Sequence, residues 1–530
     1  MTGGDAVSDP DHEPDGGVSR IGTDARRDHD EGVSTLAKQG GLAFAGNVVS
    51  GALGYAIVML MTRFVSPSIY GLFVLATSII LFTQVAANLG FPLAIDYFVP
   101  RYLNEGEHGK AKGVIVKVMV TVFVTSSLVA LALAASAGFV GEFFREPSMR
   151  IALLLLAVTI PMRGLYKCVL TSYYSVKRLQ YRVVVHDILR PTVRFVVTAA
   201  LLLSGFGLLG LIGGYVIALF VALAIGAFVF ATRVRKIAAA DLESVPFRRL
   251  ATYSVPLAMT SVVFVLMGQV DYFVVGYYLD SGDVGIYRVG YMLGSSLLII
   301  FGSLSPVFKP LIAESGEDRD LVERRFRVAA RWIAGLTLPI AITLSLAAPE
   351  YLSVFYTPQY ADASAVVALL STAFLFNVTF GGPDGTLLQG MGYSRVVFGN
   401  TLVLFGANLG VSMALVPVLG IEGAAVGSAT ALVLVGLLTI AECYYLDGIH
   451  PFTRDFAKVV LSGIPATIAG VPVVLLVDSA LVVVTVLPLV VVGTYALSLI
   501  ATDAFTAEDA RMVAQFSPAF EKWLPSRLSR

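Results

Sequence analysis

Residues 208–231 read LLGLIGGYVIALFVALAIGAFVFA, a run that contains no charged side chain. At 1.5 Å per residue, a helix of this length is about 36 Å long, which exceeds the roughly 30 Å hydrocarbon core of a bilayer. Since lipid offers the backbone no water, such a run must close its hydrogen bonds internally as a helix. The stretch therefore predicts a membrane-spanning helix.

The rest of the chain repeats this pattern. It is 56% hydrophobic and 14% charged, whereas soluble proteins carry about 25% charged residues. We therefore expect an all-α, polytopic membrane protein with about fourteen transmembrane helices. The predicted spans are 39–62, 69–92, 114–138, 151–171, 183–203, 208–231, 253–279, 288–308, 328–348, 363–388, 396–416, 421–445, 457–477 and 480–501.

The Lys and Arg residues predict the orientation, because loops on the cytoplasmic side retain positive charge. With an even number of spans, nearly all of the 37 basic residues fall on the side of the two termini. We therefore expect a multi-pass protein of the cell membrane with cytoplasmic termini. Residues 1–38 form an acidic, disordered tail in this interpretation, and 502–530 form a second cytoplasmic tail.

An internal repeat predicts how the spans are grouped. Gly207, Gly210 and Gly214 recur 213 positions later as Gly420, Gly423 and Gly427, and residues 182–184 recur as 395–397. Residues 70–73 have a weaker counterpart at 284–287. We expect two six-helix lobes, 39–231 and 253–445, in the same orientation, followed by an appended helix pair at 457–501.

Basic residues within the fifth span are candidates for binding an anion. Arg182, His186, Arg190 and Arg194 recur every four residues, which stacks them on one face of an α-helix. Pro191 should kink the helix at this point. The arginine fork suits a phosphate group. The alternative is that the lower residues extend to the membrane surface and Arg194 pairs with a carboxylate.

A second candidate is Asp271, which lies near Gln269 in an otherwise apolar run. A carboxylate inside a membrane could bind a coupling cation, H⁺ or Na⁺, or gate transport. It could equally be a structural partner of Arg63 or Arg288. Asn47 is a further polar residue within a span, although most such amides only join helices.

Enzyme motifs are poor in this sequence. Residues 106–111 (GEHGKA) lack the spacing of a phosphate-binding loop, and residues 318–320 (DRD) lie in a loop too short to be a catalytic domain. Cys168 and Cys443 have no metal-ligand spacing. We expect a protein that is not an enzyme and that has no cofactor, no metal and no nucleic-acid partner.

Four stretches resemble the polysaccharide biosynthesis (Wzx-like) flippases of the multidrug/oligosaccharidyl-lipid/polysaccharide exporter superfamily. They are residues 36–47 (LAKQGGLAFAGN), 62–73 (TRFVSPSIYGLF), 269–276 (QVDYFVVG) and 283–287 (DVGIY). The resemblance extends from about residue 34 to 500 and implies two six-helix lobes around a central cavity. Its motif positions in this chain are Arg63, Tyr70, Gly71, Asp271 and Gly285.

The resemblance implies a flippase that moves a lipid-linked oligosaccharide, on a polyprenyl phosphate or pyrophosphate, from the cytoplasmic to the outer leaflet. Its partners would be that substrate, membrane lipid, a coupling cation and glycan assembly proteins. The acidic N-terminal tail and the preference for Arg over Lys suggest a salt-adapted source, for which we expect a haloarchaeal surface-glycan pathway. Three alternatives stay open: a cation-coupled exporter of small amphiphiles, a membrane glycosyltransferase or ligase, and a scaffold. Residues 39–62 contain no Asp or Glu, which disfavours the drug-exporter alternative.

Overall fold

The computed structural model describes residues 45–176, 178–303, 319–381, 385, 387–389 and 391–504. Residues 1–44 and 505–530, which include both predicted tails, lie outside this part of the chain. The side chains of residues 259–261, 263 and 264 are also outside it.

The described residues are almost entirely helical. The first half contains α1 (Ala45–Phe64), α2 (Pro67–Asn88), α3 (Phe91–Asn104), α4 (His108–Phe143), α5 (Ser148–Ala157), α6 (Thr159–Ser175), α7 (Leu179–Arg182), a π-helix (Val183–Leu189), α8 (Arg190–Leu203), α9 (Gly207–Arg233) and α10 (Arg235–Ala238). The second half contains α11 (Phe247–Met267), α12 (Val270–Tyr278), α13 (Ser281–Gly294), a 3₁₀ turn (Ser295–Leu297), α14 (Arg319–Leu346), α15 (Ala348–Phe355), a 3₁₀ segment (Pro358–Ala363), α16 (Ser364–Phe376), a π-helix (Asn377–Gly381), α17 (Ser394–Leu419), α18 (Ile421–Asp447), α19 (Arg454–Leu461), α20 (Gly463–Leu476) and α21 (Ala480–Ala501).

Twelve helical segments of the described residues are long and apolar enough to cross a membrane, which confirms the all-α membrane fold. The fifth and seventh predicted spans, 183–203 and 253–279, are not among them. The fifth is divided between a π-helix and α8, and the seventh is interrupted between α11 and α12. Fourteen crossings therefore stay a prediction.

The α2 and α13 helices begin with matched caps. The Ser66 hydroxyl accepts a hydrogen bond from the backbone N–H of Ile69, and the Asp280 carboxylate accepts one from the N–H of Asp283. Such side chains satisfy N–H groups that a helix start leaves free. The two caps are 214 positions apart, which is the displacement that relates Gly71 to Gly285.

These two glycines face each other where α2 crosses α13. A methyl group on Gly71 would overlap the carbonyl oxygen of Ser281, and one on Gly285 would overlap that of Pro67. Ser281 and Pro67 are themselves 214 positions apart, so the crossing looks the same from either helix. Small residues at such a point let two membrane helices approach closely.

Two helix hairpins repeat a similar contact. Gly214 of α9 packs on the side chain of Thr198 in α8, and Gly427 of α18 packs on Ser412 in α17. The two glycines are the pair displaced by 213. These matched contacts support the predicted repeat, while the division into two lobes stays a prediction.

Candidate central cavity

A cavity of about 360 Å³ lies where helices of the two halves face each other. The first half contributes α1, α2, α6, α8 and α9, and the second contributes α13 and the stretch from Gln269 to Tyr272. Its lining residues are Gly54, Ile57, Val58, Met61, Tyr70, Phe73, Val74, Thr77, Ser78, Leu81, Arg163, Arg190, Arg194, Tyr215, Ala218, Leu219, Gln269, Tyr272, Arg288 and Met292.

Four arginines share this lining: Arg163, Arg190, Arg194 and Arg288. No carboxylate is among the described lining residues, and within the described ranges none of the four arginines forms an ion pair. Because uncompensated charge in a low-dielectric interior is costly, four cations around one cavity favour an anionic occupant.

Aromatic side chains hold these arginines in place. The Arg194 guanidinium lies 5.1 Å from the Tyr215 ring centre and 5.9 Å from that of Phe73. Arg163 donates to the Tyr215 hydroxyl, so one tyrosine contacts both arginines. The Arg194 Nε atom is buried without a hydrogen-bond partner in the described chain. This guanidinium therefore keeps donor capacity for a ligand.

The second half contributes one of the four cations. Arg288 of α13 donates a 2.6 Å hydrogen bond to the Tyr272 hydroxyl. Tyr70, which the family resemblance singles out, is buried and also lines the cavity. The cationic lining is thus built from both halves of the chain.

The predicted four-residue ladder does not hold as a single stack. Arg190 and Arg194 line the cavity, whereas the Arg182 guanidinium lies 4.6 Å over the Tyr174 ring. His186 Nδ1 lies 3.2 Å from the Tyr166 hydroxyl. The Arg190 guanidinium lies 5.9 Å from the same Tyr166 ring, so His186 and Arg190 are still neighbours. The segment between Arg182 and Arg190 is the π-helix Val183–Leu189, whose hydrogen bonds reach one residue further than those of an α-helix.

Two other predicted cavity residues lie elsewhere. Arg63, at the end of α1, donates a 2.8 Å hydrogen bond to the carbonyl oxygen of Val354 in α15, at an exposed position. Asn47 is exposed in the first turns of α1. Neither lines the cavity, because each lies near an end of α1 while the lining residues lie between them.

Asp271 lies in a separate polar cluster, while Gln269 lines the cavity. Asp271 is 5% exposed, and its Oδ2 accepts hydrogen bonds from the hydroxyls of Tyr287 at 2.8 Å and Ser428 at 2.6 Å. Asn408 donates to Ser428 at 3.3 Å and accepts from Ser412 at 2.9 Å. The second oxygen, Oδ1, is buried without a hydrogen-bond partner in the described chain.

This cluster corrects one alternative from the sequence. No ion pair joins Asp271 to Arg63 or Arg288 in the described chain, because Arg63 lies at an exposed helix end and Arg288 donates to Tyr272. The carboxylate is held by neutral hydroxyls from α13 and α18 instead. A buried carboxylate with one free oxygen can accept a further proton or ligate a cation.

Sequence reasoning missed Arg163, Arg288, Tyr215 and Tyr272 as cavity residues. The sequence pointed to Arg288 only as a possible structural partner of Asp271, and to Arg163 not at all. Both fall within predicted apolar spans, 151–171 and 288–308, and that position was the available signal. The tyrosines carried no signal, because aromatic residues are common throughout membrane helices.

Comparison with known proteins first defines the class. The fold is similar to that of the lipid II flippase MurJ in an inward closed conformation, with a TM-score of 0.68 at 16% identity over 86% of this chain and 97% of that chain. An inward-facing multidrug resistance MATE family transporter of the MOP superfamily gives 0.63, at 13% identity over 75% and 94%. The chain therefore has the fold of this exporter superfamily.

The sequence identifies the family. A model of the polysaccharide biosynthesis protein family matches residues 60–365, and the chain belongs to that family. It is also similar to stage V sporulation protein B of Bacillus subtilis, at 23% identity over 456 residues that cover 80% of this chain and 87% of that protein.

Proposed function

We propose that this protein is a flippase that moves a lipid-linked oligosaccharide across the membrane. The observation that carries the proposal is the cavity lined by four arginines and no carboxylate among the described residues. Membership of the polysaccharide biosynthesis family and the fold shared with a lipid II flippase support it. The arginines would hold the phosphate or pyrophosphate that joins the glycan to its lipid.

The mechanism follows from how the cations are distributed. Arg163, Arg190 and Arg194 belong to the first half, and Arg288 belongs to the second. When two halves rock about a site between them, a phosphate held from both sides changes its exposure from one leaflet to the other. The protein itself breaks no bond in this scheme, so we infer a transporter rather than an enzyme.

We further propose that both termini are cytoplasmic and that transport runs from the cytoplasmic to the outer leaflet of the cell membrane. Two loops assigned to the inner side contact each other, which supports placing them on the same side of the membrane, and their Lys and Arg residues favour the cytoplasmic side. Lys112 donates to the carbonyl oxygens of Ala238 and Ala240, both at 2.8 Å, and Lys117 donates to that of Val245 at 2.5 Å. Labelling of single cysteines introduced at residues 240 and 145 from either side of sealed vesicles tests the assignment.

The test of the function is flipping of a fluorescent polyprenyl-pyrophosphate oligosaccharide in proteoliposomes, read by reduction of the dye in the outer leaflet. Native protein should equilibrate the lipid between leaflets faster than empty vesicles. If it moves only a small amphiphilic cation, the exporter alternative is correct. If it moves neither and elongates the glycan, the glycosyltransferase alternative is correct. Inactivity in all three assays, the elongation assay run with a sugar donor, would favour a scaffold of a glycan assembly complex.

Tyr215 provides a graded test of the arginine site. Tyr215→Phe removes the hydroxyl that accepts from Arg163 but keeps the ring beside Arg194, so we expect the flipping rate to fall only about three- to tenfold. Tyr215→Leu removes both contacts and should cost more. Equal rates for both variants would contradict a positioning role of the ring.

Asp271 is our candidate for the coupling residue. Asn at this position can still accept hydrogen bonds from Tyr287 and Ser428 but carries no charge. We expect Asp271→Asn to fold normally and to lose the dependence of flipping on an H⁺ or Na⁺ gradient, with a gradient-driven rate reduced about tenfold or more. Glu442→Gln is the matched control. Glu442 lies in α18 away from Asp271, and its carboxylate accepts a hydrogen bond from the Asn400 amide of α17. An unchanged gradient response in Asp271→Asn would exclude a coupling role.

A further inference from the structure

A second basic cavity, of about 1000 Å³, lies at the edge of the first half. Its cations come from separate stretches of the chain: Arg178 precedes α7, Arg233 ends α9, and Arg235 and Lys236 begin α10. His108, the first residue of α4, also lines the cavity. No carboxylate is among its described lining residues, so the charged groups of the described lining are all basic.

The donors of this cavity have few partners of their own. The Arg235 Nε donates a 3.2 Å hydrogen bond to the carbonyl oxygen of Thr232. Its two terminal nitrogens form no hydrogen bond or ion pair within the described ranges. The Nδ1 atom of His108 is buried without a hydrogen-bond partner in the same part of the chain. Since guanidinium forks match phosphate oxygens, these groups can bind a phosphate.

Two neighbouring cavities serve as a comparison. In one, of about 460 Å³, Arg101 and Arg249 are joined by Glu105 and Glu107 in the lining. In the other, Arg101 lies 3.9 Å over the Tyr97 ring and Arg249 lies 5.1 Å over that of Phe98. Arg101 and Arg249, which line both cavities, therefore already have carboxylate or aromatic neighbours, unlike Arg233 and Arg235.

The apolar wall of this cavity indicates a lipid rather than a soluble anion. Phe228 and Val229, about one turn before Arg233, line it together with Val176. Phe228 is 68% exposed on an apolar membrane helix, so its outer face meets acyl chains. A phosphate near the arginines would thus continue directly into a hydrocarbon surface. Basic pockets between helix ends at the membrane boundary are suited to anionic lipid headgroups.

We propose that this cavity binds the headgroup of an anionic phospholipid, with its phosphate among Arg178, Arg233 and Arg235 and its acyl chains along the Phe228 face of α9. The bound lipid contacts the segment that connects the two halves, because α10 begins that segment. Lys112 of α4 donates hydrogen bonds to the carbonyl oxygens of Ala238 and Ala240, at the end of α10 and just after it. The site is separate from the central cavity and does not depend on what that cavity transports.

The experiment uses the full chain in phosphatidylcholine vesicles that contain a small fraction of photo-crosslinkable phosphatidylglycerol. Labelled peptides should include residues 228–237. Arg233→Gln with Arg235→Gln should lower labelling about tenfold or more, since each basic residue near an anionic surface strengthens binding several-fold. Arg233→Lys with Arg235→Lys keeps the charge and should retain most of the labelling.

The control pair is Arg145→Gln with Arg150→Gln, two exposed arginines at the junction of α4 and α5, which should leave labelling unchanged. Three outcomes would overturn the proposal. If photo-crosslinkable phosphatidylcholine labels residues 228–237 as strongly as phosphatidylglycerol does, the site is an apolar groove that does not select an anionic headgroup. Loss of labelling in excess inorganic pyrophosphate would show a site for a soluble anion. Labelling of native protein only outside these peptides would show that the lipid binds elsewhere.

Discussion

Replacing Arg190 and Arg194 together by alanine should reduce the rate of flipping by two to four orders of magnitude. A hydrogen bond to a charged group contributes about 1.5–3 kcal/mol, so losing one from each arginine costs about 3–6 kcal/mol of binding in the transport cycle. The measurement is dye reduction of a fluorescent polyprenyl-pyrophosphate oligosaccharide in proteoliposomes with matched protein content.

Arg145→Ala with Arg150→Ala is the matched control, since it removes the same charge from exposed positions outside the cavity. Arg194→Lys separates charge from geometry. It keeps a cation between Phe73 and Tyr215 but loses the fork, so an intermediate rate is expected. A double alanine variant that inserts, elutes as native protein and flips at the native rate would show that these arginines do not bind the substrate.

The sequence predicts the membrane fold well because bilayer thickness constrains helix length directly. Long apolar runs such as 208–231 coincide closely with observed helices, here α9. The fifth and seventh spans were harder to predict in detail. Arg190 and Arg194 lower the hydropathy of the fifth span, and Gly268 and Gln269 interrupt the helix of the seventh span. No periodicity in the sequence predicts a π-helix or a helix break of this kind.

The cavity was predictable only in part. A charge within an apolar span is a sound signal, and it identified Arg190 and Arg194. The same signal is present at Arg163, in the middle of the span 151–171, and at Arg288, the first residue of the span 288–308, but neither was among the predicted cavity residues. Arg182 and His186 are not among the lining residues, and the π-helix between Arg182 and Arg190 has no signature in the sequence from which their positions could be predicted.

The crossing of α2 and α13 at Gly71 and Gly285 lies beside the central cavity. The central cavity begins at this crossing: its α2 lining runs from Tyr70 to Leu81, and its α13 lining, Arg288 and Met292, follows Gly285. We infer that the close approach of the two helices closes one end of the cavity. In a rocking mechanism the halves have to separate here, so the closeness of the contact sets how stable the closed end is.

Gly71→Ala should disrupt this closed end. The new methyl group would overlap the Ser281 carbonyl oxygen and lie 2.6 Å from the backbone nitrogen of Gly285, so one helix must shift. Overpacking of this kind costs about 1–3 kcal/mol, and more where backbone has to move. We expect flipping to fall at least tenfold, and Gly285→Ala to behave similarly because its methyl group would overlap the Pro67 carbonyl oxygen.

A disulfide measures the closure itself. A Cβ at residue 282 would lie 3.2 Å from the Ser68 Oγ, so cysteines at 68 and 282 are within bridging reach. In a chain whose buried Cys168 and Cys443 are replaced by alanine, this pair should cross-link readily, and adding Gly71→Ala should lower the yield. Gly51→Ala is the control, because no atom of another helix in the described chain lies within 4 Å of its added Cβ. Native cross-linking and flipping in Gly71→Ala would mean that the crossing tolerates a wider spacing and does not hold the cavity shut.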